Sequence, residues 1–281
     1  MSDVATSNPR YKKPPIIERA LTVTADVTQE NFFARLEDWK LLIHEKFPEY
    51  DPINDWRVNI ETREDGTPLL TDVQPELLIT HRFWRRDRKN RRFLSMRLLP
   101  NQFTLNIHRD SDGDHNFREL HDEFSNWLPQ WMSHFGATGC ETVSLNYINL
   151  ISHITTPQFV DVNGSIQVGK ALRVFAGIPS QHMGIIPPYD CQMGLMIDPK
   201  RPAMFSLRVV VVAIAKQNSP AIRVDLNAYV AKLKPSLTAF QALSEADFLH
   251  SVIKAQFEAI FTDFAKETFE PVAELPDNTK K

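Results

Sequence analysis

The chain has 281 residues, 42% of them hydrophobic, and its 32 Lys and Arg against 35 Asp and Glu leave a formal net charge of −3. This composition excludes a disordered chain, and the small net charge gives no general attraction to nucleic acid. With nine glycines and two cysteines, the sequence holds no Gly-rich phosphate loop, disulfide framework or four-cysteine zinc site.

The amino-terminal residues are polar and lack the apolar segment of a signal peptide. The longest strongly apolar stretch, residues 209–215, is much shorter than the ~20 residues that cross a membrane as a helix. We therefore expect a cytoplasmic protein without a membrane segment.

The first predicted half begins with a strand over residues 16–25, and Thr28 then caps a helix that Pro48 ends. Alternation of apolar and polar residues predicts an antiparallel meander over 56–110. A second helix is predicted over 116–135, in which Pro129 should cause a kink or an end. The predicted strands of this half after the first are 56–61, 77–85, 93–99, 102–108 and 142–153.

The same pattern of strands and a long amphipathic helix recurs after a proline-rich connection. Three strands are predicted, over residues 192–197, 203–215 and 221–229, and Ser244 is the predicted cap of a helix over 245–269. The predicted fold class is α+β, with two pseudo-repeated halves that are each an antiparallel sheet packed with long amphipathic helices. The predicted domains are a flexible tail at 1–15, an N-terminal α+β half at 16–153, an irregular connection at 154–188, a C-terminal α+β half at 189–270 and a flexible tail at 271–281.

A cationic ribbon is predicted at residues 81–93, with the sequence HRFWRRDRKNRRF. Guanidinium groups bind phosphates through two parallel hydrogen bonds, and an adjacent tryptophan can stack on a base. The candidate polyanion-binding residues are Arg82, Arg85, Arg86, Arg88, Lys89, Arg91, Arg92 and Trp84. In the alternative interpretation, the arginines pair with acidic residues of the same half.

A His- and Asp-rich segment follows at residues 108–123. One hypothesis makes it the site of a metal-dependent hydrolase or nuclease, with His108, Asp110, Asp114 and His121 as its residues. The calcium-loop pattern fails, because its sixth position counted from Asp110 is a histidine where the loop needs glycine. A turn followed by a helix cap at Asp114 or Asn116 explains the segment better, and we expect neither a metal nor a cofactor.

Catalytic motifs are missing from the sequence. No G-x-S-x-G element is present, and Cys140 and Cys191 are expected to be small buried residues rather than nucleophiles. An enzyme is therefore less expected than a binding protein, and no catalytic residue is assigned.

A set of polar residues interrupts two apolar strands. Their polar groups must find partners if the strands are half buried, so a polar core between the halves is expected, with a ligand pocket as the alternative. The residues are Tyr147, Asn149, Arg223, Asp225 and Asn227.

The order of several short motifs resembles that of a known protein family. They are Tyr11-x-x-Pro14-Pro15-Ile16-x-Glu18, Tyr147-Ile148-Asn149, Asp225-Leu226-Asn227 and Leu249-His250 followed by Phe257 and Thr262. This arrangement is similar to a sporadically distributed, uncharacterised bacterial family whose members have about 260 residues, the size of one large or two small domains. The resemblance implies no activity or cofactor. The patchy distribution implies an accessory role in a mobile-element or defence-related system.

The sequence thus favours a non-catalytic binding or accessory protein that engages a protein partner, or nucleic acid through the 81–93 ribbon, and that forms a homo-oligomer. Two alternatives stay open: the metal-dependent hydrolase or nuclease, and a small-molecule sensor with a pocket between the two halves.

Overall fold

The structure is a computed structural model, which describes residues 10–12, 14–55, 59–62, 68–72, 78–108, 116–152, 156–160, 166–173, 190–198, 202–214, 219–231 and 236–272. The strands are β1 (Arg10–Tyr11), β2 (Ile16–Ala25), β3 (Glu49–Tyr50), β4 (Ile53–Asp55), β5 (Asn59–Thr62), β6 (Pro68–Asp72), β7 (Leu78–Arg86), β8 (Arg92–Leu99), β9 (Gln102–His108), β10 (Cys140–Ser152), β11 (Asp190–Asp198), β12 (Ala203–Ile214), β13 (Ser219–Val230) and β14 (Pro271–Val272). The helices are α1 (Gln29–Ile43), α2 (Phe117–Phe135), α3 (Val168–Ala171), α4 (Ala239–Ile260) and α5 (Asp263–Thr268), with a 3-10 turn at Pro157–Phe159.

One antiparallel sheet dominates the described part of the chain. Its strands follow the order β11-β12-β13-β10-β2-β9-β8-β7-β3, and β4 also pairs with β7. Two short pairs, β1 with β14 and β5 with β6, lie outside it.

The predicted fold of two halves with separate sheets is wrong. The long strand β10 pairs with β13 of the presumed second half from Val143 to Ser152, and its other edge pairs with β2. Because β10 is hydrogen-bonded along both edges, the sheet continues from one presumed half into the other. The connection predicted at 154–188 therefore joins strands of one strand-rich sheet.

The three long helices cover one side of this sheet. Helix α2 packs on β2 and β9, α4 packs on β10 and β13, and α1 packs against α2. Most side chains at the centre of this side are buried and apolar, as Leu21, Leu105, Leu145 and Leu226 illustrate. This packing leaves the opposite side of the central strands free of the long helices.

Local signals set the ends of the helices. The Thr28 side chain accepts from the Asn31 backbone N–H at the start of α1, which confirms the predicted cap. Asn116 caps α2 in the same way, and Pro129 does not end that helix. Helix α4 begins after Thr238, so the predicted cap at Ser244 is wrong.

Most of the predicted strands are present at close to their predicted bounds, and β2, β8 and β9 are clear examples. The prediction over residues 56–61 falls partly outside the described residues. Among the described helices, none is long and apolar enough to cross a membrane.

Candidate functional site

The predicted polar set is divided between the two sides of the sheet. Tyr147 on β10 lies opposite Leu226 on β13, and side chains alternate along each strand, so Asp225 points away from Tyr147. Asn149 shares the helix side with Tyr147, and its side-chain nitrogen donates to the Val224 carbonyl oxygen at 3.0 Å. The other side of the sheet carries Arg223, Asp225 and Asn227.

On the helix side, a cavity of about 460 Å³ lies between the sheet, the first turn of α2 and the second half of α4. We call it the helix-side cavity. Its walls combine the polar side chains of Arg19, Tyr147 and His250 with apolar side chains such as those of Phe117 and Phe257. A mixed lining of this kind is typical of sites for small organic molecules.

A hydrogen-bonded pair forms the centre of the helix-side cavity. The Tyr147 hydroxyl lies 2.7 Å from Nδ1 of His250, and the Phe117 ring stacks on the imidazole with centroids 4.0 Å apart. The Arg19 guanidinium lies 5.4 Å from the centroid of the Tyr147 ring, and Arg19 is only 8% exposed. These contacts bring together residues that are distant in sequence.

Both members of this pair are uncharged at neutral pH. Burial raises the pKa of the Tyr147 hydroxyl above its ordinary value. Burial, and then the charges of Lys254 and Arg19, lower the pKa of His250 to about 4. The positive charge of the site therefore belongs to its arginine and lysine side chains.

Among the described residues that line the helix-side cavity, cations outnumber anions. Arg19, Arg118 and Lys254 are the cations, and Glu258 is the carboxylate in that part of the lining. That carboxylate accepts a hydrogen bond of 2.8 Å from the Tyr11 hydroxyl. The arrangement favours a negatively charged ligand over a positively charged one.

The side of the sheet opposite the three long helices, which we call the polar face, borders a second cavity of about 610 Å³. The lining of this cavity includes two ion pairs: Arg97 Nη2 is 3.2 Å from Glu18 Oε1, and Arg223 Nε is 2.8 Å from Asp225 Oδ1. The hydroxyl oxygens of Thr22 and Thr104 are 2.9 Å apart.

The cationic ribbon forms the β7–β8 hairpin, and five of its arginines make ion pairs. The pairs are Arg82 with Asp51, Arg85 with Glu123, Arg86 with Glu49, Arg91 with Asp87, and Arg92 with Glu49 and Asp51. Arg88 and Lys89 are exposed at the turn. This is the pairing of the alternative interpretation, so polyanion binding by the ribbon stays a prediction that the geometry does not strengthen.

Trp84, the predicted stacking residue, is buried. It is 7% exposed, and the guanidinium carbons of Arg82 and Arg92 lie 5.0 and 5.1 Å from the centroid of its ring. These contacts with the chain's own cations give no support to stacking on a nucleic-acid base.

The residues of the metal-hydrolase hypothesis are not brought together where they can be located. Asp110 and Asp114 fall outside the described residues. His108 lies 3.6 Å from Glu18 at the polar face, whereas His121 on α2 lies 3.6 Å from Asp247. Across the described ranges, no group of three or more His, Cys, Asp and Glu side chains is placed to hold a metal ion.

Sequence reasoning identified Tyr147 but missed Arg19, His250 and Lys254. A signal for Arg19 was present in the sequence, because it occupies the same alternate positions of β2 as the buried residues Leu21 and Val23. A charged residue in a buried period-two register requires partners and marks a candidate site. His250 and Lys254, by contrast, are polar residues of a long helix and carry no comparable signal.

No protein-family model matches the chain, and no curated protein matches it. Among solved structures, the crystal structure of the di-domain ARO/CYC StfQ from the steffimycin biosynthetic pathway aligns with 90% of this chain and 97% of its own, at 9% identity and a TM-score of 0.18. A likeness this weak carries no argument about fold or function.

Proposed function

We propose that this protein is a binding protein for a small organic anion, a carboxylate or a phosphate ester with an apolar portion, which occupies the helix-side cavity. The observation that carries the proposal is the buried guanidinium of Arg19 in the wall of a cavity that Arg118 and Lys254 also line. A cation in a poorly solvated site interacts strongly with an anion, because little water screens the pair.

The remainder of the lining supports the apolar portion of the ligand. Phe117, Ile253 and Phe257 offer aromatic and aliphatic surface, and the neutral Tyr147–His250 pair offers hydrogen bonds without adding charge. The volume of about 460 Å³ lies within the range of about 300–1,000 Å³ found for small-molecule sites.

This proposal keeps the binding role expected from the sequence and replaces the pocket between two halves with one between sheet and helices. An accessory role beside a partner protein, self-association and membership of the sporadically distributed bacterial family are compatible with it as further proposals.

Calorimetric titration with phenyl phosphate, benzoate and neutral benzyl alcohol tests the proposal. We expect at least one of the two anions to bind and benzyl alcohol to bind at least tenfold more weakly. Arg118→Gln and Lys254→Gln should each weaken anion binding about tenfold, which corresponds to about 1.4 kcal/mol.

Lys46→Gln is the matched control, because Lys46 is exposed and does not line the cavity. Equal affinity for benzyl alcohol and the anions, or unchanged anion binding in the Arg118→Gln/Lys254→Gln double variant, would contradict the proposal. Retention of anion affinity in Lys46→Gln alone would support it.

A further inference from the structure

A row of amide and hydroxyl side chains crosses the polar face at right angles to its strands. The register places the members of this row opposite one another in the order Ser206, Asn227, Asn146, Ala20, Asn106 and Ser95. Because adjacent strands lie about 4.8 Å apart, the row extends about 24 Å. Near its centre, the small Ala20 side chain leaves space between the amides of Asn146 and Asn106.

Two amide oxygens on either side of Ala20 have hydrogen-bonding capacity to spare. The Asn106 side chain donates to Glu18 through its nitrogen, while its Oδ1 is buried and accepts no hydrogen bond within the described residues. Oδ1 of Asn146 is likewise buried and accepts no hydrogen bond from the described residues. A buried acceptor without a donor costs about 1–3 kcal/mol, so these two positions mark a part of the row in which the described residues leave hydrogen bonding incomplete.

The depth of these residues distinguishes the polar face from an ordinary solvated side of a sheet. Such a side normally carries exposed polar residues. Here Asn106 is 1% exposed, Thr104 5% and Asp225 9%. The polar side chains therefore form the floor of the 610 Å³ cavity, which has the size of a small-molecule site.

The charges of the described residues that line this cavity largely cancel. Glu18 is paired with Arg97, and Asp225 is paired with Arg223. The described lining holds one further charged residue, Arg208. The described floor therefore presents both donors and acceptors with little net charge, which suits a ligand whose groups both donate and accept.

We infer that the polar face binds a neutral polyhydroxylated ligand of saccharide size, centred over Ala20. Ring hydroxyls would exchange hydrogen bonds with polar side chains of the row that line the cavity, among them Asn146, Asn227 and Ser206. Ala20 and Ile148 would meet the C–H surface of the sugar ring. This site lies on the opposite side of the sheet from the helix-side cavity and does not depend on the anion site.

Saturation-transfer NMR with maltotriose and N,N′,N″-triacetylchitotriose, each up to about 10 mM, tests the inference, since these concentrations detect millimolar dissociation constants. We expect ring protons of at least one trisaccharide to receive saturation from the full-length protein. Asn146→Ala and Asn227→Ala should each weaken that binding about tenfold, the effect of about one hydrogen bond.

Asn126→Ala is the matched control, because it removes an exposed amide on α2 away from this site, and Lys254→Gln shows whether the two sites are separate. Both variants should bind the trisaccharide as the unmodified protein does. The inference is overturned if neither trisaccharide binds, if Asn146→Ala and Asn227→Ala bind unchanged while folded, or if Lys254→Gln abolishes the binding.

Discussion

The environment of the helix-side cavity strongly lowers the pKa of His250. Its imidazole is held between the Phe117 ring and the Tyr147 hydroxyl, beneath the positive charges of Lys254 and Arg19. Protonation would place another cation beside Lys254 and Arg19, whose charges already lower the pKa of the imidazole. The neutral form is therefore the stable one in the folded protein.

The lowered pKa of His250 predicts a specific loss of stability in mild acid. The unfolded chain takes up this proton near pH 6.5 and the folded protein only near pH 4. Because the unfolded chain binds this proton first, the free energy of unfolding is highest above pH 6.5. It falls as the pH approaches 4, by at most about 3 kcal/mol. Urea denaturation of the unmodified protein and of His250→Asn, at pH 7 and pH 4.5, measures the difference.

His81 and His108 also have lowered pKa values. Their contributions to the pH dependence are the same in both proteins and cancel when the two are compared. We expect the free energy of unfolding to fall less for His250→Asn than for the unmodified protein. Identical pH dependence in the two proteins would show that His250 is protonated in the folded state at an ordinary pH.

At the scale of residues, the sequence predicts which side chains need partners better than which partners they find. The Arg223–Asp225 pair could be predicted, because the two residues lie two positions apart on one strand and so share a face. The Tyr147–His250 contact could not, because it joins β10 to α4 across 103 positions of sequence. Ion pairs of the hairpin arginines depend likewise on where Glu49 and Glu123 come to lie.

Helix α2 shows how packing overrides a local rule at the scale of elements. Pro129 lacks the backbone N–H of a helical residue, yet the helix continues to Phe135. Leu128, Trp131 and Phe135 on the inner face of the same helix are buried, and their contacts stabilise the continuous helix. The predicted start of α4 was wrong for a related reason, since Ser244 and Thr238 are both suitable caps and only Thr238 has the reciprocal bonds with Gln241.

The exposed position of Pro129 makes the cost of this proline measurable. Pro129→Ala restores a backbone donor without removing buried surface, so we expect the free energy of unfolding to rise by about 1–3 kcal/mol. Chemical denaturation followed by far-UV circular dichroism provides the measurement. Ser133→Ala, at another exposed position of the same helix, is the control, and equal stability of the two variants would argue against a cost at Pro129.

At the scale of the whole molecule, periodicity in the sequence identifies the buried side of each strand but not its neighbour. The alternation in residues 142–153 and 221–229 predicts two half-buried strands equally well whether they belong to separate sheets or to one. The structure pairs them, and β10 becomes an interior strand between β13 and β2. The apparent repeat of strands followed by a helix thus describes a recurring local pattern within a single sheet.

This continuity predicts that the chain cannot be divided into two folded halves. A fragment of residues 1–180 would expose the β10 edge and the apolar surface that α4 covers, and a fragment of residues 181–281 would lose the strand on which β13 and α4 pack. We expect each fragment alone to give a poorly dispersed amide NMR spectrum and no cooperative unfolding transition. Mixing or co-expressing the two should restore both features, because the missing partner strand supplies the hydrogen bonds of β10 and the buried area beneath α4. A well-dispersed spectrum from either fragment alone would contradict this prediction, since a half that folds alone does not need the β10–β13 pairing.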